Sequence, residues 1–130
     1  MSVPDRHDRH PGGEPLIAIT EERFEELVGE ALDQIPDELA QHMENVAVFV
    51  REGVNPHLLG LYEGIPLTER GPLSYGGMVM PDKITIYRRP ILAMCHSEAE
   101  VVHQVRVTVI HEVGHHFGID DARLHELGWG

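Results

Sequence analysis

Residues 111–121 read His-Glu-Val-Gly-His-His-Phe-Gly-Ile-Asp-Asp, and this stretch decides how the rest of the chain is interpreted. It contains the pattern H-E-x-x-H, with His111 and His115 four residues apart. Side chains with this spacing point the same way on an α-helix, so two imidazoles can bind one zinc ion. Glu112 lies about 100° round the helix from His111, where it flanks the metal and can take a proton from water.

A catalytic zinc site needs a third protein ligand and an open position. Gly118 allows the backbone to reverse after the helix, which brings Asp121 back towards the two histidines. The string H-E-x-x-H-x-x-G-x-x-D therefore predicts one zinc ion per chain, bound by His111, His115 and Asp121. Asp120 is adjacent in sequence and stays open as an alternative third ligand.

The motif belongs to a long predicted helix. Ser97 and Glu100 have the spacing of a capping box, and Gly118 is a typical helix terminator. Apolar residues occupy nearly every face between these limits, so we expect a buried, central helix. His116 falls on the apolar side of this helix, and the pattern predicts a structural core histidine there.

The preceding chain predicts shorter elements. A helix begins after Thr20 and stops at Pro36, where a second short helix follows. Residues 46–50 are predicted to form a buried strand, residues 58–62 a weaker strand, and residues 83–87 a half-exposed strand that Pro90 ends. Residues 64–82, rich in glycine and proline, read as a long loop.

The length and composition of the chain limit the number of domains and the classes of binding partner. The 130 residues, 42% of them hydrophobic, suit a single domain over 16–130 behind a disordered N-terminal tail over 1–15. Ten Lys and Arg against 22 Asp and Glu give a net charge of −12, which argues against nucleic acid and against anionic membranes as partners. A lone cysteine, and no apolar segment near the roughly 20 residues of a membrane span, favour a cytoplasmic protein. The oligomeric state stays open.

The motif and its surroundings resemble the minimal zincin family, small bacterial proteins related to the metzincins. The resemblance rests on RRPI at 88–91 and on TVIHEVGHHFGIDDARLHELGW at 108–129, where an aspartate replaces the third histidine of metzincins, as in the snapalysin-like variant. It implies an α+β zincin-like fold, and we expect a small, mostly antiparallel sheet of about three strands on a long central active-site helix. It also implies zinc on His111, His115 and Asp121, with Glu112 as general base.

These observations predict a zinc metalloendopeptidase, in which Glu112 activates a zinc-bound water for attack on a peptide bond. The peptide or protein substrate is expected to pair with residues 83–87 if this strand lies at an exposed edge of the sheet; the alternative, that the strand is internal, stays open. Tyr75 or Tyr87 is a candidate oxyanion donor.

Two alternatives stay open. The first is a catalytically weak or inactive zinc-binding module that acts through a protein partner. The second is a metal-dependent ribonuclease, which Glu112 and the negative charge oppose. The zinc-binding module is favoured by one difference from the metzincins. They place a methionine turn after the third ligand, whereas no methionine follows Asp121.

Overall fold

A computed structural model describes residues 17–64 and 81–129. The predicted tail over 1–15 and most of the predicted loop over 64–82, including Tyr75, lie outside these described residues. Within them, no helix is long and apolar enough to cross a lipid bilayer.

The described chain begins with two helices whose ends follow the sequence signals. Helix α1 spans Glu21–Leu32, and the hydroxyl of Thr20 caps it by accepting a hydrogen bond from the backbone N–H of Arg23 at 3.1 Å. Helix α2, Asp37–Ala40, starts after Pro36 and continues into a 3₁₀ turn over Gln41–Met43. Both helices were predicted, and both predictions are confirmed.

Three strands form a mixed sheet. Strands β1 (Val46–Arg51), β2 (Gly60–Glu63) and β3 (Asp82–Tyr87) are arranged in the order β1-β3-β2. Strand β3 pairs in parallel with β1 and antiparallel with β2. The α+β class and the three strands are therefore confirmed, but the sheet is mixed rather than mostly antiparallel, because β3 enters between the two earlier strands and runs along β1.

The position of β3 decides between the two alternatives left open for residues 83–87 and corrects the expectation for β1. Residues 83–87 offer no open edge, because a strand pairs with each side of β3. Strand β1 was expected to be buried, yet its residues are half-buried or exposed, since within the described chain only β3 pairs with it.

A short helix that the sequence analysis missed follows β3. Helix α3 spans Arg88–Leu92 and contains Pro90, which we expected to end the strand. Pro90 is the third residue of this helix, where a proline is tolerated because first-turn N–H groups have no partner within the helix.

Helix α4, Glu98–His116, is the centre of the molecule, and the prediction of a long helix here is confirmed. The hydroxyl of Ser97 caps it by accepting from the backbone N–H of Glu100 at 3.2 Å. Its side chains Val101, Val105, Val109, Ile110 and Val113 are fully buried and pack in one core. That core also contains Phe24, Leu27, Leu39, Ile84, Ile86, Ile91, Leu92 and Leu124.

Helix α5, Asp121–Glu126, closes the described chain. It packs on α4 through Leu124, which is fully buried. A Cβ added at Gly114 would come within 3.1 Å of a Leu124 methyl, so the glycine in the middle of the H-E-x-x-H motif lets α5 approach α4.

Candidate active site

Helix α4 presents His111 and His115 one above the other, as the four-residue spacing predicts. The centroids of their rings lie 5.9 Å apart, with 28° between the ring planes. His111 is half-buried and His115 is exposed, so the pair lies where the C-terminal part of α4 reaches the surface.

A tight C-terminal turn ends α4 directly after His116. Gly118 has a φ of +82°, in the left-handed region that favours glycine. The N–H of Ile119 donates to the carbonyl oxygen of Gly114 at 2.7 Å, and the N–H of Gly118 donates to that of His115 at 3.1 Å. These two bonds make a Schellman motif, which reverses the chain as the sequence predicts.

The chain then returns with Asp120 and Asp121, and the two carboxylates do different things. Asp120 caps α5, since its Oδ1 accepts from the N–H of Arg123 at 2.9 Å. Asp121 lies next to the histidines, with its Oδ1 2.7 Å from Nε2 of His115. The structure therefore brings Asp121, and not the alternative Asp120, into hydrogen-bond contact with a motif histidine.

This contact changes the acidity of Asp121. The hydrogen bond with His115 lowers the pKa of the Asp121 carboxyl, partial desolvation opposes the shift, and the charges of His111 and His115 add to it. An aspartate carboxylate is ionised at neutral pH, which is the form that binds a metal, and the shift extends this form to lower pH.

The donor types fit zinc, because imidazole nitrogens and carboxylate oxygens are ligands that it takes. In the described part of the chain, however, no three His, Cys, Asp or Glu side chains are close enough together to form a metal site as they stand. The assignment of His111, His115 and Asp121 as ligands therefore stays a prediction.

Glu112 faces strand β2. Its Oε1 accepts a hydrogen bond from the backbone N–H of Tyr62 at 3.1 Å, and the contact is partly buried. Gly60 makes this approach possible, since a Cβ there would lie 2.6 Å from the Thr108 side chain on α4. A cavity of about 230 Å³ opens beside Glu112 and His111, between α4 and the segment that leads into β2.

His116 is not the core residue that the helical pattern predicts. Its side chain is 37% exposed and stacks on the Tyr62 ring, with centroids 3.9 Å apart. The Tyr62 hydroxyl in turn donates to Asp82 Oδ2 at 2.6 Å. The prediction is wrong because α4 leaves the core in its last turn, where β2 is its neighbour instead of apolar helix faces.

Nothing in the sequence pointed to Tyr62 or Asp82 as residues of the site. Tyr62 contacts Glu112 through a backbone amide, which every residue except proline carries, so no sequence signal exists for it. Tyr87, a candidate oxyanion donor, ends β3, and that role stays a prediction.

No curated protein sequence matches this chain. A solved structure, a conserved hypothetical protein from Thermus thermophilus, is 27% identical with a TM-score of 0.49; the match covers 75% of this chain and 94% of that one. The model of the family described as zincin-like metallopeptidase matches residues 43–129, about two thirds of the chain, including β1 to β3 and the whole motif. The chain therefore belongs to the zincin-like metallopeptidase family.

Proposed function

We propose that this protein is a zinc-dependent endopeptidase, with one zinc ion held by His111, His115 and Asp121 and with Glu112 as the general base. The observation that carries the proposal is the contact between the two halves of the motif. The Asp121 carboxylate lies 2.7 Å from His115 on the side of α4 that also presents His111. Family membership supports the same chemistry.

The residues have separate tasks. His111 and His115 bind through neutral imidazole nitrogens, and Asp121 supplies the negative charge of the set. When bound in such a set, zinc polarises a carbonyl group and makes water more acidic. Asp121 is ionised at neutral pH like any aspartate, and its lowered pKa extends the ionised form to lower pH.

Glu112 moves the proton. One carboxylate oxygen, Oε1, is engaged by the Tyr62 N–H, so we assign the proton transfer to Oε2. Glu112 accepts the proton of the attacking water and later delivers it to the leaving amine. Glu112 is half-buried on the side of α4 that faces β2, and this position limits the number of orientations that the carboxylate can adopt.

The substrate backbone would pair with β2. Strand β3 is internal, and no described strand pairs with the outer edge of β2, which lies against α4 at Glu112. An extended peptide could add to such an edge through main-chain hydrogen bonds to Gly60 and to the carbonyl oxygen of Tyr62, since the Tyr62 N–H is engaged by Glu112. The cavity beside Glu112 and His111 would then receive a substrate side chain.

The test is Glu112→Gln, which keeps the size of the side chain and removes its basicity. We expect unchanged zinc content and cleavage of a mixed peptide library at least about 100-fold slower than wild type. Mass spectrometry of the cleaved peptides measures the rate. Cleavage by Glu112→Gln at the wild-type rate would contradict the role of Glu112. A zinc-loaded wild-type protein that cleaves nothing would instead support a zinc-binding module without turnover.

A further inference from the structure

Tyr62, on β2 next to Glu112, contacts both α4 and β3. Its backbone contacts Glu112 on α4, its hydroxyl contacts Asp82 on β3, and its ring contacts His116 at the end of α4. We propose that Tyr62 is a positioning residue whose side chain fixes the end of β2, so that its backbone N–H orients the Glu112 carboxylate. This inference rests on the proposed function only for what Glu112 does chemically.

The backbone contact uses a donor that the sheet does not need. Leu59 accepts from the N–H of Tyr87 at 2.9 Å, and the register pairs Leu61 with Thr85. In an antiparallel ladder, alternate residues turn their N–H and C=O groups away from the partner strand. Tyr62, opposite Ile84, is one of these, so its N–H points to the outer edge and reaches Glu112 without breaking a sheet hydrogen bond.

The side chain holds this backbone segment from two directions. The hydroxyl bond to the Asp82 carboxylate is 2.6 Å long, in the range of strong, charge-assisted hydrogen bonds. On the other side, the ring stacks on His116 at 3.9 Å, with 22° between the ring planes. Because β2 has only four residues, these contacts determine how close its outer edge lies to Glu112.

Amide hydrogen exchange measured by NMR tests the backbone bond directly and needs no substrate. We expect the residue 62 amide to be protected in wild type although it points away from β3. Glu112→Ala should accelerate its exchange about tenfold or more, because a hydrogen bond to a charged group is lost. The amides of Leu61 and Glu63, which face β3, should stay protected. An unchanged exchange rate at residue 62 in Glu112→Ala would overturn the proposal.

Tyr62→Phe tests the side-chain part, since it removes the bond to Asp82 and keeps the ring. We expect faster exchange at residue 62 by a few fold. Lys83→Met is the matched control, because it removes another side-chain tie between β2 and β3, the pair of Lys83 with Glu63 at 3.5 Å. Equal acceleration in the two variants would show general loosening of β2 and would contradict a specific role for Tyr62.

A kinetic comparison separates positioning from structure. Tyr62→Ala keeps the backbone N–H, whereas Tyr62→Pro removes it at an outward-facing edge position, where proline is tolerated. We expect kcat for peptide cleavage to be about tenfold lower in Tyr62→Pro than in Tyr62→Ala, with KM and zinc content similar. Equal kcat values would contradict the proposal. If wild type cleaves no peptide, the proposed function fails, and the exchange measurements still decide whether Tyr62 positions Glu112.

Discussion

Asp120 and Asp121 show how two identical neighbouring residues acquire different roles. The sequence places both within reach of a third-ligand position, and chemistry alone cannot separate them. The start of α5 separates them, because Asp120 caps the helix and Asp121 contacts His115. The sequence could predict that His111 and His115 lie on one side of a helix and that the chain turns at Gly118, since these follow from helical spacing and backbone conformation.

The backbone contact at Glu112 lay beyond sequence reasoning. It arises because β2 approaches α4 closely, and this approach depends on residues that lie far apart in the chain, such as Gly60 and Thr108. A side-chain motif can be recognised in a sequence, whereas a single amide donor cannot.

The different roles of the two aspartates lead to a prediction for Asp120→Ala. This variant loses the cap of α5, so we expect the free energy of unfolding to fall by about 1 kcal/mol. The ligand set is untouched, and zinc content should therefore remain that of wild type. Urea denaturation followed by circular dichroism measures the first quantity. A larger loss of zinc in Asp120→Ala than in Asp121→Ala would show that the roles are reversed.

At the level of elements, the close packing of β2 on α4 determines the site. The order of the three strands was not predictable, because pairing between distant segments decides it. Strand β3 illustrates the difficulty. Its alternation Lys-Ile-Thr-Ile-Tyr is typical of a half-exposed strand, yet Thr85 is only 5% exposed, since β3 lies between two other strands. Helices were predicted better, because caps and periodicity are local properties.

Two glycine substitutions test the contact between β2 and α4. A Cβ at Gly60 would lie 2.6 Å from the Thr108 side chain and 3.2 Å from a β3 carbonyl oxygen, so Gly60→Ala should destabilise the fold by about 1–3 kcal/mol. Gly29 in α1 is the matched control, because a Cβ there meets nothing within 4 Å. Gly29→Ala should instead stabilise by about 0.5–1 kcal/mol. Thermal unfolding measures both changes. Similar effects of the two substitutions would contradict a close contact at Gly60.

In the molecule as a whole, α4 runs through the core and carries an accessible site near its C-terminal end. Its middle turns pack against α1, α3 and the sheet, whereas Glu98 at its start and His115 and His116 at its end are exposed. The Arg23 guanidinium on α1 makes a two-point contact with Glu98 at the exposed start of α4, at 3.0 and 2.8 Å. This pairing also lowers the pKa of Glu98.

The reactivity of the Cys95 thiol measures whether the core is closed to solvent. The residue is 2% exposed, and burial, assisted by the nearby Glu100 charge, raises the pKa of its thiol to about 11. At pH 8 we therefore expect Ellman's reagent to label the native protein more than about 100-fold more slowly than the urea-unfolded protein. Equal labelling rates would show that the segment between α3 and α4 is open to solvent.

The proposed function requires the two ends of the H-E-x-x-H-x-x-G-x-x-D string to bind one zinc ion together. Zinc per chain, measured by plasma mass spectrometry on wild type, Asp121→Ala and Asp120→Ala purified side by side, tests it most directly. We predict about one zinc ion in wild type and in Asp120→Ala, and much less in Asp121→Ala, because a two-histidine site binds zinc weakly. Wild-type protein without zinc even after incubation with it, or Asp121→Ala with a full complement, would contradict the account.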